Sequence, residues 1–243
     1  MSRWGAAGTL ATMDSIDLED PPVRVRIIKN ARARRFTLRL DSRGDGAVLT
    51  VPPGVPHRDS QAFVSRNADW LRRALSKQPD LVFVSDGSVV PVDGMPVRVE
   101  VFPGRRRPPV LDGERLILQG AGAEGPRIAA WLKLRARDAL QPAAHAYARQ
   151  LGRHVDRVAL RDTRSRWGSC STRGTLSFSW RLAMAPPAVQ NYVAAHEAAH
   201  LVEMNHSAAY WAVVERIYPG WQVQRHWLHR HGRDLHRYRF EAE

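Results

Sequence analysis

From Val23 the chain alternates between apolar and polar positions. Val23, Val25 and Ile27 are separated by Arg24 and Arg26, and Phe36, Leu38 and Leu40 by Thr37 and Arg39. A period of two predicts strands with one buried face. Residues 48–51, after Asp45-Gly46, read as a third strand, and the turn chemistry between the three predicts an antiparallel meander. Over 57–77 the spacing becomes helical, with Ala62, Phe63, Trp70 and Leu71 inward, Arg66, Arg72 and Arg73 outward, and Pro79 as the stop. Strand patterning returns at 81–84, 89–92, 97–102 and 116–118. Arg105-Arg106-Arg107-Pro108-Pro109 interrupts it, as an exposed loop or as a phosphate-contacting one.

Gly120-Ala121-Gly122-Ala123-Glu124-Gly125-Pro126 has the composition of a linker and predicts a domain boundary. Beyond it, 127–151 reads as a long helix with Trp131, Leu134, Leu140, Tyr147 and Leu151 toward a core, and Pro142 predicts a kink or break near Gln141. Strands are expected at 155–160 and 175–182, a helix from Pro187 to about Met204, a helix at 208–217 capped by Ser207, and a last helix at 222–235. The organisation expected is a disordered leader over 1–22, a β-rich subdomain over 23–119 and a mixed domain over 126–238, an α+β fold.

Composition narrows this picture. A chain of 243 residues, 44% hydrophobic, can bury a core, and no run of apolar residues is long enough for a membrane span. The first residues do not resemble a secretory signal, and one cysteine fits a reducing compartment, so a cytoplasmic protein is expected. The net charge of +13, from 37 basic and 24 acidic residues, suits contact with nucleic acid or another polyanion, or a merely solvated surface.

The chemistry is concentrated at His196-Glu197-Ala198-Ala199-His200, followed by His206. Residues four apart on a helix lie one above the other, so His196 and His200 can hold one Zn²⁺. Glu197, beside them, can reach a water at an open position of the metal without ligating it. On a continuing helix His206 would face away, so the helix must end before it, with Asn205 the best stop signal through its tolerance of the left-handed conformation. Glu203 and Glu215 are rival third ligands. Val189, Tyr192, Val193 and Leu201 make one side of the helix apolar, and a packed helix carrying two histidines and a glutamate is costly unless something satisfies them.

Arg166-Trp167-Gly168-Ser169-Cys170-Ser171, Leu176-Ser177-Phe178-Ser179-Trp180-Arg181-Leu182, the His-Glu helix, Asn205-His206-Ser207 and Tyr210-Trp211 together resemble the YgjP-like metal-dependent hydrolases, relatives of the SprT-like and WLM zinc metallopeptidases. The resemblance runs from about Val23 to about His236. It implies a zincin-like domain, metal ligation by His196, His200 and His206, Glu197 as catalytic base, and a peptide or protein substrate. Ala198 stands where that family more often has leucine, a difference that bears on packing.

The residues alone support metal-assisted hydrolysis; the resemblance supplies the peptide bond. Two alternatives remain: a nucleic-acid-associated protease acting on DNA-bound or crosslinked proteins, and a non-catalytic zinc-stabilised binding module. Tyr210 and Arg166 are candidates to stabilise an oxyanion, and Trp167 to shape a substrate cleft. Cys170 reads as a small buried hydrophobe, a nucleophile or a fourth ligand. The strand from Thr175 to Trp180 is the candidate edge for pairing with an extended peptide. His226, His229, His231 and His236 suggest either a second metal site or a basic, solvated helix.

Overall fold

The computed structural model describes residues 15–41, 46–76 and 80–241. Most of the leader expected over 1–22 lies outside the described residues. The chain divides into two compact units, Met1–Pro79 and Asp80–Glu243.

The first unit is a four-stranded sheet with two helices. Its strands are β1 (Ser15–Leu18), β2 (Val23–Lys29), β3 (Thr37–Leu40) and β4 (Ala47–Val51), in the order β1-β2-β4-β3. β2 runs parallel to β4, and β3 pairs antiparallel on the outer side of β4. The predicted meander is therefore replaced by a crossover, and Ser15–Leu18, expected in the leader, is a strand paired with β2. The expected 57–77 helix is two helices, α1 (His57–Arg66) and α2 (Ala68–Leu75), joined at Asn67. Val64 and Leu71 turn inward against Val25 and Leu49, while Ala62 and Trp70, expected inside, are exposed.

The second unit holds β5 (Val82–Phe83), β6 (Val89–Val92), β7 (Met95–Phe102), β8 (Val110–Asp112) and β9 (Arg115–Gln119), then α3 (Glu124–Gln150), β10 (Arg157–Arg161), β11 (Gly168–Cys170) and β12 (Thr175–Ser179). A 3-10 turn at Trp180–Met184 leads into α4 (Pro187–Ala199), α5 (Ala208–Ile217), α6 (Trp221–His231), a second 3-10 turn at Gly232–His236 and β13 (Tyr238–Arg239), which pairs with β5. Two further sheets have the orders β6-β7-β9-β8 and β10-β12-β11. No described helix is long and apolar enough to cross a membrane.

The boundary expected at 120–125 falls instead at Pro79, because residues 80–119 are tied to the helices that follow. At the β6–β7 turn, Asp93 pairs with Arg135 of α3 and accepts from Gln190 Nε2 of α4 at 2.9 Å. Asp93 and Gly94 N–H groups donate to the carbonyls of Ala183 and Met184. Gly94 (φ +83°) lies so close to Pro186 that a Cβ there would stand 2.7 Å from its ring. These contacts join residues 42 to 97 positions apart, which local composition does not reveal.

α3 and α4 pack together around small residues: Ala136, Ala144 and Ala148 on one, Ala194, Ala195 and Ala199 on the other, all buried in one core. α3 continues unbroken through Pro142. Pro142 and Asp138, whose carbonyl loses its helical donor there, are on the exposed side, where water can serve instead. Leu134, expected inside, is 57% exposed. The predicted 175–182 strand ends at Ser179, where the 3-10 turn buries Trp180 and Leu182.

Arg181 is the largest fully buried side chain of that turn, with 2% exposed. Its Nε donates to Asp162 at 2.8 Å, and one terminal nitrogen donates to the Leu235 and Tyr238 carbonyls at 3.2 and 3.0 Å. The C-terminal segment is thereby fixed to the sheet. Arg181→Met should lower the unfolding free energy by about 2–4 kcal/mol, since two carbonyls and a half-buried carboxylate lose their donor. Denaturant titration measures this; an unchanged midpoint would show that the guanidinium contributes nothing net.

Candidate metal centre

α4 starts where Pro187 occupies its first turn, a position where a missing N–H is harmless. It ends at Ala199, five residues earlier than predicted, with His200 as its last capping residue. Residues 201–204 then turn back on N–H bonds from Leu201 and Val202 to Ala198 and Ala199. Asn205 is not left-handed, contrary to expectation; its carbonyl accepts from Ser207 N at 2.7 Å in a tight turn. Ser207 caps α5 as predicted, its hydroxyl accepting from Tyr210 N at 3.4 Å. The outcome is that His206 swings back beneath the helix.

His196, His200 and His206 place their ligating atoms within 4.8 Å of one another. His196 Nε2 and His206 Nε2 are 3.2 Å apart. Two nitrogens on a tetrahedral zinc at about 2.0–2.1 Å would be separated by about 3.3 Å, so the donors present fit such an ion. Two of the rings are held from outside. His200 Nδ1 donates to the Glu203 carbonyl at 3.0 Å, which leaves Nε2 to face the centre, and the Tyr192 hydroxyl lies 3.5 Å from His196 Nδ1. Burial and the neighbouring imidazoles push His196 down to about 3 and lower His200, so both stay in the neutral, ligating form. The rivals Glu203 and Glu215 are not in the cluster; Glu203 contributes only its carbonyl.

Glu197 is 5% exposed and borders a cleft of about 510 Å³ together with the three histidines, Arg166, Trp167, Cys170 and Arg225. Burial raises its carboxyl to about 8, opposed by the charge of Arg166. No hydrogen bond ties its oxygens among the described residues. Burial disfavours the charged form of a carboxyl that no cation pairs directly, which is the cause of that shift. Gly168 explains how it fits: a Cβ there would stand 2.4 Å from Glu197 Oε1. The edge of β11 lies directly on the carboxylate.

The other expected residues separate. Arg166 is exposed at the cleft, and Trp167 lines it while stacking on His236 at 5.0 Å. Tyr210 is fully buried; its hydroxyl donates to the His196 carbonyl at 3.0 Å and its ring stacks on His200 at 4.5 Å. It braces the ligands and has no hydroxyl to offer a substrate. Cys170 lines the cleft, but burial and the Glu197 charge push its thiol up to about 11, so it is neither a thiolate nucleophile nor part of the cluster. The C-terminal histidines form no second cluster among the described residues. The 175–180 edge is corrected as well: β12 is the central strand, and β11 is the edge facing the cleft.

Arg225 was not anticipated. It lines the cleft with its guanidinium 5.0 Å from the ring of Trp211, which stacks on Trp221 at 4.1 Å. In the sequence it is one of several arginines on a basic helix, and only its spacing four residues after Trp221 hints at the stack.

Comparison with known families decides the class. The model of the YgjP-like metallopeptidase domain matches residues 34–231. The chain belongs to the YgjP-like family. No curated protein and no solved structure matches it. A metallopeptidase domain implies a metal ion, and the three histidines are placed to bind one.

Gly168→Ala should displace the Glu197 carboxylate while leaving the histidines in place. Metal content is expected to equal the parent's, with hydrolytic turnover down about a hundredfold. Parental turnover would mean that β11 does not position Glu197.

Proposed function

We propose that the chain is a zinc-dependent peptidase with Glu197 as its general base. What carries this is one juxtaposition: a buried carboxyl without a hydrogen bond among the described residues, on the residue after one of three convergent imidazoles, open to a cleft. Three neutral nitrogen donors suit zinc, whereas magnesium and calcium take oxygen ligands. Zinc held there supplies Lewis-acid activation of a carbonyl and of water.

The side chains do the rest. Glu197 takes a proton from the attacking water and returns it to the leaving amine. Arg166 and Arg225, which both line the cleft, are the cations available to a developing oxyanion. β11 has a strand neighbour on one side only, so its other edge can pair with an extended peptide, which supports a polypeptide rather than a compact substrate. Trp167 and Leu228 give that edge an apolar wall.

Glu197→Gln is nearly isosteric and keeps every histidine. Its metal content should match the parent's, and kcat on a quenched fluorescent peptide library should fall by a factor of about 10²–10⁴. Undiminished turnover would remove Glu197 from the chemistry; no turnover in either protein would favour a non-catalytic module.

A further inference from the structure

The small sheet has two edges. One, β11, borders the metal cleft; the other, β10, borders a second groove of about 510 Å³. Its far wall is a single face of α3, where Lys133, Arg137 and Gln141 recur every fourth residue. Its near wall is β10 itself, with Arg157 and Arg161 exposed. None of these four cations has an ion pair among the described residues. The one carboxylate in the groove, Asp162, is taken by Arg181 at 2.8 Å. Four unpaired cations converging on one concave surface repel each other and focus a positive potential there, an arrangement that favours an anionic occupant.

Among the described residues β10 pairs only with β12, in parallel. Alternate N–H and C=O groups of β10 therefore point into the groove, and they make no other backbone hydrogen bond among the described residues. An unpaired edge recognises main chain, which a polypeptide has and a nucleic acid lacks. The groove's aromatic, Trp180, is 3% exposed, with Lys133 and Arg181 lying over its ring at 5.6 and 4.7 Å. It offers no open face on which a nucleobase could stack.

The groove also leads somewhere. Residues paired across a sheet share a face, so Arg161, Ser177 and Ser169 lie on the side of the sheet away from the apolar Leu176 and Phe178. Arg161 borders both the groove and a smaller recess, and Arg166, Gly168 and Ser169 border both that recess and the metal cleft. A polar, cationic path thus runs from the β10 edge around the sheet to Glu197.

We infer that the groove between α3 and β10 is an exosite for an extended, acidic stretch of the polypeptide substrate, which pairs with the β10 edge and sets its carboxylates against Lys133, Arg137, Arg157 and Arg161. The inference rests on the peptidase reading for what happens in the cleft, but the exosite binds whether or not the chain is cut. Substrates are then selected by acidic segments remote from the scissile bond.

The test is fluorescence anisotropy on the full zinc-loaded chain. The probes are a labelled peptide with glutamate at consecutive positions, so that both faces of a paired strand carry carboxylates, its glutamine counterpart, and a labelled oligothymidine. The acidic peptide should bind about tenfold or more tightly than the glutamine peptide, and the difference should shrink with added salt. Two independent double variants, Arg157→Gln with Arg161→Gln and Lys133→Gln with Arg137→Gln, should each remove most of that difference and leave the glutamine peptide unaffected. Because binding is read directly, absence of cleavage would count against the peptidase reading alone. Equal affinity for the two peptides, acidic binding untouched by both variants, or oligothymidine bound more tightly through the same arginines would overturn the exosite.

Discussion

Two imidazole nitrogens 3.2 Å apart, on residues ten positions apart, are the constraint around which the second unit is organised. Holding His206 against His196 requires the helix to stop one residue short of His200 and the chain to reverse within a single turn. The apolar scaffold makes that reversal possible. Tyr210 is anchored by the Ser207 cap, buries its ring between His200 and His206, and bonds the His196 carbonyl, so one side chain fixes the positions of all three ligands. A ligand set braced this way is preorganised, and little ordering remains when a cation arrives.

The carboxylate obeys a second constraint. Glu197 follows His196 on α4 but faces the sheet, and only a strand edge without a Cβ at residue 168 can approach it. Buried alanines set the spacing of α3 and α4, and Ala198 is itself fully buried. Asp93 fastens the neighbouring sheet to the same helical pair, and Arg181 fastens the C-terminal segment to Asp162 beside the small sheet. The catalytic elements are short; long-range polar clamps hold them.

The parts of this arrangement with a local cause were legible in the sequence. The four-residue spacing of His196 and His200, the Ser207 cap and the alternation of Val23, Val25 and Ile27 each depend on neighbours along the chain. Whatever depends on partners far away was not. The sheet order that makes β12 central and β11 an edge, and the Asp93–Arg135 pair that joins residues 80–119 to the helices, have no signature in composition. Tyr210 illustrates the same limit at one residue: its position after His206 suits a catalytic phenol, yet its hydroxyl is occupied by the helix backbone. Arg225 shows the converse, a place in the cleft hidden in a run of surface charge.

The central claim is that three imidazoles, and no fewer, hold one divalent ion. Metal analysis of the purified protein beside His206→Ala after equal exposure to zinc tests it most directly. One zinc per chain in the parent and a clearly substoichiometric content in the variant are predicted. Equal zinc in the two proteins would contradict the three-histidine centre and return the third ligand to another residue.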